Sequence, residues 1–300
     1  MLDFCKWRFI RLLARIKIMM SQKIKILVVD PLHIDALNDL QNKFDVTIRI
    51  KPTLADLERL IVDTKVIILR SGIKLDASLM ERAQQLKVIA RAGVGMDNID
   101  LEKAREKEII VFNVPDESSR SVAEFGFGLI LALSRKIALA DAQMKRGLLK
   151  KIELEGFELC GKILGLIGLG RIGSEMAQIA QGFRMQVIAN VANLNIERRA
   201  KLAEKGISLL ALDEVLSYAD IICLALPLTN KTEYLIRLSQ FQAMKSNAIL
   251  INLSRAQIID FSDLIIALKE KMVQGVATDV ISDLKEIRLL SQFENVLLTP

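Results

Sequence analysis

The chain has 300 residues, 51% apolar and 26% charged, enough for two globular domains with sizeable cores. Its formal charge is +6, but Lys6, Arg8, Arg11, Arg15 and Lys17 against Asp3 put +4 of that in the first twenty residues. The remainder is nearly balanced, so the basic balance is no argument for a nucleic-acid partner. Charges interrupt every apolar run of the first twenty residues, which excludes a membrane span or a secretory leader there.

That segment reads either as a basic amphipathic helix or as an extension upstream of a start at Met19 or Met20; the regular strand beginning near Lys25 favours the extension. Cys5, Cys160 and Cys223 lack metal-ligand spacing, fit a reducing cytoplasm, and read as small packing residues.

From Lys25 short apolar strands alternate with helical stretches. Strands are expected at Ile26–Val29, Val46–Ile48, Val66–Leu69, Val88–Ala90 and Ile110–Phe112, with helices near Ile34–Lys43, Leu54–Val62, Ala77–Gln84 and Leu101–Lys107. This pattern predicts an α/β fold with a parallel sheet covered on both faces, and ligands at the carboxyl ends of its strands. Arg70 and Arg91 fall at two such ends, placed to grip an anion; Gly93, Val94 and Gly95 offer backbone N–H groups to a carboxylate. Either arginine alone would read as a surface residue in a polar loop. Ser121 and Glu124 have capping-box spacing ahead of a long apolar helix, about Phe125 to Leu139, expected to cross between domains and suited to homodimerisation.

The sharpest signal follows. Ile163–Ile167 is an apolar strand, Gly168, Gly170 and Gly173 form a GxGxxG turn, and a helix begins at Arg171. Gly168 permits the sharp turn, Gly170 lets a pyrophosphate reach the main chain, and Gly173 allows close helix–strand packing. The next strand, Gln186–Ala189, should end in an acid for the adenosine ribose; Asn190, Val191, Ala192 and Asn193 stand there instead. Arg198 and Arg199 would suit the 2′-phosphate of NADP, or form the solvated face of a helix. Further strands are expected at Ile221–Ala225, Ile249–Asn252, Val276–Asp279 and Val296–Leu298, bringing Pro227, Arg255 and Asp279 to the edge that holds the glycine turn. An arginine there can hold a carboxylate and polarise a carbonyl for hydride attack.

RAGVGMDNID (91–100), SSRSVAEFGFG (118–128), ALPLTNKT (225–232), INLSRAQIIDFSDL (251–264) and GVATDV (275–280), with the glycine turn, resemble the D-isomer-specific 2-hydroxyacid dehydrogenase family from about Lys23 to Pro300. The resemblance implies a flavodoxin-like substrate domain over 23–115 and a Rossmann NAD-binding domain over 116–300, after an extension over 1–22. It implies NAD as cofactor, with NADP left open by Val191, and a phosphorylated 2-hydroxy acid as substrate; the apolar helix adds the expectation of a homodimer. It makes Arg255 catalytic and Arg70 and Arg91 phosphate ligands. Arg171, Ile172, Leu226, Leu253, Ser254 and Asp279 become cofactor contacts.

The family's histidine-orienting acid aligns near Leu284 and Lys285, with Asp283 or Glu286 as substitutes. Its catalytic histidine follows a Thr-Pro, and this sequence ends at Thr299-Pro300, so the chain reads as truncated before its acid–base residue. His33, the sole histidine, reads as structural.

Overall fold

The computed structural model describes residues 24–114, 118–148, 150–192 and 196–299, without the side chains of Ile196 and Arg198. The basic extension, Cys5 and Asn193 lie outside the described residues. The chain divides into two units, 1–118 and 119–300.

The first unit is a five-stranded parallel sheet in the order β2-β1-β3-β4-β5. Its strands are β1 (Lys25–Val28), β2 (Asp45–Ile48), β3 (Val66–Leu69), β4 (Val88–Arg91) and β5 (Ile110–Asn113). Strands β3 and β4 are buried at every position, as a sheet covered on both faces requires. One core cluster (Leu27, Ile67, Ile89, Leu57) and a second (Ile26, Ile68, Val88, Leu40) hold alternate side chains of the same strands, one on each face. Helix α1 (Ile34–Lys43) starts at His33, whose Nδ1 accepts the Asp35 N–H at 3.4 Å, so the sole histidine is a helix cap. Helix α2 (Leu54–Ile61) is capped by Thr53, α3 (Ala77–Arg82) by Asp76, and α4 (Leu101–Glu106) by Asp100.

The second unit is a seven-stranded parallel sheet, β12-β11-β10-β9-β6-β7-β8. From β6 (Ile163–Ile167) the chain runs outward through β7 (Gln186–Asn190) and β8 (Ile207–Leu209). It then returns to the other side of β6 with β9 (Ile221–Leu224), β10 (Ile249–Asn252), β11 (Gly275–Thr278) and β12 (Val296–Leu298). The order reverses between β6 and β9, which makes their carboxyl ends the crevice where such sheets take ligands. Strand β8, only three residues long, is one that composition did not announce.

Two expectations about the apolar helix are corrected. Helix α5 spans Ser119–Ser134, so Ser121 lies inside it and no capping box forms; Glu124 instead pairs with Arg120 at 3.0 Å, one turn away. The helix also stops before Leu139. Lys136 adopts a left-handed conformation (φ 51°) and a separate helix, α6 (Ile137–Lys145), follows. Helix α5 packs into the second unit's own core: Gly126 lies so near Leu253 and Met176 that a Cβ there would sit 2.6 Å from Leu253 Cδ1. Among the described residues no helix is long and apolar enough to cross a membrane. Cys223 is buried, but Cys160 is exposed and is not a packing residue.

Candidate active site

In the second unit the glycine turn joins β6 to helix α7 (Arg171–Gly182). Gly168 has φ 96° and donates its N–H to Asn190 O at 3.0 Å; any side chain on it would run into the Ala225 carbonyl. A Cβ on Gly173 would stand 2.5 Å from Gly168 O, so both glycines are demanded by backbone crossing backbone. Gly170 differs: a Cβ there would meet nothing within 4 Å. No packing requires a glycine at that position. It leaves the main chain bare over the N-terminus of a 12-residue helix, whose first N–H groups point out of it. Those residues fit a dinucleotide pyrophosphate. Arg171 begins the helix at the surface, and Ile172 is half-buried against the core.

The ends of β9 and β10 are tied together beside this turn. Ser254 Oγ donates to Leu224 O at 2.9 Å and accepts the Leu226 N–H at 3.0 Å. Asn252, 1% exposed, accepts the Ser254 N–H at 3.0 Å and donates to Arg255 O at 3.0 Å. The loop carrying Arg255 is therefore held by two buried side chains. The Arg255 guanidinium donates to Ser254 O at 2.6 Å. Thr232 Oγ1 donates to Pro227 O at 2.7 Å and shapes the neighbouring loop.

The Ser254 hydroxyl bonds the main chain of Leu224 and Leu226, and the side chain of Leu253 is buried in the core, so what these two residues present at the crevice is chiefly their own main chain. Asn252, which the spacing did not single out, is the residue that fixes the Arg255 main chain. Its type and place, an Asn three residues before the arginine at a strand end, are the usual sign of a side chain closing a turn on its own backbone.

Asp279 follows β11, with Oδ1 buried and without a hydrogen-bond partner among the described residues. Burial raises its pKa above the ordinary carboxylate range, opposed by its own N–H and by the Arg255 charge. Arg255 and Asp279 thus share one electrostatic environment at the carboxyl edge.

The substitutes for the histidine-orienting acid are occupied. Asp283 Oδ1 accepts the N–H groups of Lys285 (2.7 Å) and Glu286 (2.9 Å), and Glu286 Oε2 accepts the Ser282 N–H at 2.9 Å. Together they cap the helix Leu284–Leu290, and Leu284 is exposed.

In the first unit the order reverses at β1 and β3. Asp30, buried just past β1, accepts the Arg70 N–H at 2.5 Å, and Gly72 lies against the same carboxylate. The Asn98 side-chain amide donates to Arg70 O (2.8 Å) and Ile73 O (2.7 Å), closing the 70–73 loop. Arg70 itself is exposed. Leu69 and Arg91 are register partners, so the two arginines do sit at neighbouring strand ends. Yet Arg91 is only 9% exposed, and its guanidinium lies over Gly93, where a Cβ would come 2.8 Å from Arg91 Cζ. Arg91 thus lies against the 93–95 loop in this ligand-free geometry, less open than Arg70. Val94 O accepts the Asn113 amide at 2.6 Å, and Val114 N–H bonds Gly93 O at 3.1 Å; Gly95 is half-buried beside them.

A family model for the D-isomer specific 2-hydroxyacid dehydrogenase NAD binding domain matches residues 127–300. D-3-phosphoglycerate dehydrogenase of Methanocaldococcus jannaschii is 43% identical over 280 residues, covering 92% of this chain and 53% of that protein. Hydroxypyruvate reductase of Thermotoga maritima is 37% identical over 282 residues, 91% of this chain and 89% of that one. Among solved structures, D-lactate dehydrogenase from Aquifex aeolicus, complexed with NAD and lactic acid, superposes with a TM-score of 0.82 at 28% identity. That match covers 92% of this chain and 87% of the other. The chain spans about half the length of the phosphoglycerate dehydrogenases it matches. With the glycine turn, the anchored arginine and these likenesses together, the chain belongs to the D-isomer specific 2-hydroxyacid dehydrogenase family.

Proposed function

We propose that the protein oxidises 3-phosphoglycerate to 3-phosphohydroxypyruvate in the cytoplasm, the opening step of serine synthesis. The observation that carries this reading is the anchored Arg255 loop, two strands from the glycine turn, with β9 between them, at the same sheet edge. The nicotinamide cofactor supplies the hydride acceptor when bound. Gly170 and the α7 N–H groups would hold its pyrophosphate, and Asp279 would face its nicotinamide side. Arg255 would hold the substrate carboxylate and polarise the C2 oxygen; as the C2 hydride leaves to the cofactor, the C2 hydroxyl proton passes to solvent or to the general base of the full-length protein. Arg70, exposed on a loop pinned by Asp30 and Asn98, is the phosphate ligand, with Arg91 bracing the adjacent 93–95 loop. Exposed Ile137, Met144 and Ile152 supply an apolar surface for a homodimer.

The native full-length protein should reduce 3-phosphohydroxypyruvate with NADH in preference to hydroxypyruvate and glyoxylate. Arg70→Ala should erase that preference by raising KM for the phosphorylated substrate alone. The likeness to hydroxypyruvate reductase supports a second reading, a reductase of the unphosphorylated acid, and a preference for hydroxypyruvate would select it. A third reading is a degenerate dinucleotide-binding relative, favoured by the capping roles of Asp283 and Glu286. NADH binding without turnover of any of the three acids would select that one.

A further inference from the structure

The adenosine end of the dinucleotide cradle departs from what NAD selectivity needs. In sheets of this type a carboxylate after the second strand accepts the ribose hydroxyls, and its charge repels a phosphate on the 2′ oxygen. Here β7 ends at Asn190, and residues 191–195 contain no Asp or Glu. Val191 is 8% exposed and packs in the main core cluster of the second unit, so the position that would hold the acid is apolar and turned inward. The Asn190 amide is committed to Leu210 O at 3.1 Å. The nearest acid in sequence, Glu197, is exposed in the first turn of helix α8 (Ile196–Ala203).

A cation stands nearby. Arg199, on α8, donates from Nη2 to Leu209 O at 3.1 Å. Leu209 is the register partner of Ala189, so this guanidinium is fastened at the carboxyl end of β8, beside the end of β7. The bond to Leu209 O takes one of five N–H donors, and a guanidinium fork matches phosphate oxygens. Arg199 is exposed, and the carbonyl contact restrains its long side chain, which lowers the ordering cost of meeting a ligand.

We propose that the chain binds the 2′-phosphorylated dinucleotide, NADP(H), at least as tightly as NAD(H), with Arg199 as the 2′-phosphate ligand. The proposal rests on the glycine turn being a dinucleotide site, and the test separates the two. The full chain is titrated by calorimetry with NADPH and NADH, and with 2′,5′-ADP and AMP, which differ only in the 2′-phosphate. NADPH should bind with a Kd equal to or below that of NADH, and 2′,5′-ADP should bind about tenfold or more tighter than AMP at low salt. Arg199→Ala should weaken NADPH and 2′,5′-ADP about tenfold and leave NADH and AMP unchanged, with Arg199→Lys intermediate.

NADH binding tighter than NADPH overturns the proposal while the dinucleotide site stands. Equal losses for both cofactors in Arg199→Ala, with Arg199→Lys no better, overturn the role of Arg199 and make it a structural tie. No binding of any of the four probes overturns the site and the proposal together.

Discussion

The buried amide of Asn252 donates to the main-chain carbonyl of Arg255 at 3.0 Å, while its oxygen accepts the Ser254 N–H at 3.0 Å. One side chain thus fixes both peptides that lead into the arginine. Asn252→Asp keeps the acceptor but sets a carboxylate oxygen against Arg255 O. It should cost about 1–3 kcal/mol of stability and lower kcat/KM of the native full-length protein about 10–100-fold. NADH affinity should change little. Thermal melts, NADH titration and steady-state kinetics on one preparation check this, and an unchanged kcat/KM would remove Asn252 from the positioning role.

Gly168 and Gly173 are demanded by folding rather than by ligand. Gly168→Ala combines φ 96° with collision against the Ala225 carbonyl and should cost about 2 kcal/mol or more. Gly173→Ala, 2.5 Å from Gly168 O, should cost about 1–3 kcal/mol. Chemical denaturation of each variant measures the loss.

Asp220 staples the opposite edge of the same sheet, accepting the Ile163 N–H at 2.9 Å and the Lys245 ammonium at 2.8 Å. Burial pushes its pKa up, but the Lys245 hydrogen bond, the Ile163 N–H and the charges of Lys245 and Lys162 outweigh burial and hold it below the ordinary value. A depressed carboxyl pKa stabilises the fold above the unfolded value, about 3.9, and that contribution is lost as pH falls through the folded value. Melting midpoints of wild type and Asp220→Asn should therefore differ at pH 7 and converge below about pH 4.

Asp279 has the reverse sign. Its pKa is raised, so its ionised form is a burden on the fold: the stability it contributes is full below the unfolded value and lost as pH rises through the folded one. Asp279→Asn should raise the melting midpoint at pH 7–8 by roughly 2 °C, with no gain at about pH 3, and should weaken NADH binding. Scanning calorimetry across pH checks the first half and titration the second.

Much of this architecture was legible before any coordinates. The strands from β1 to β12 are short apolar runs bounded by turn residues, and only β8, three residues of mixed burial, escaped that pattern. The glycine turn was legible because a fixed spacing encodes a backbone path. Side-chain direction was not. Arg91 stands at the strand end that the pattern assigns, yet it turns onto Gly93, a choice made by local packing. The helix break at Lys136 has neither Gly nor Pro to mark it, because a lysine takes the left-handed position. Ser121 and Glu124 carried capping-box spacing one turn too late, since the helix already starts at Ser119. Asp283 and Glu286 looked like spare acids until their bonds to Lys285, Glu286 and Ser282 N–H groups were seen.

The claim on which the rest depends is that the bare backbone at Gly170 is a pyrophosphate cradle. The most direct measurement is NADH fluorescence titration of the full chain and of Gly170→Ala, alongside thermal melts. A Cβ at Gly170 meets nothing within 4 Å, so the variant should melt as wild type does. It should nonetheless lose NADH affinity by about tenfold or more, because the methyl occupies ligand space. Saturable binding in wild type, lost in a fully folded Gly170→Ala, is the predicted result. No saturable binding in wild type, or undiminished binding in the variant, would contradict the account.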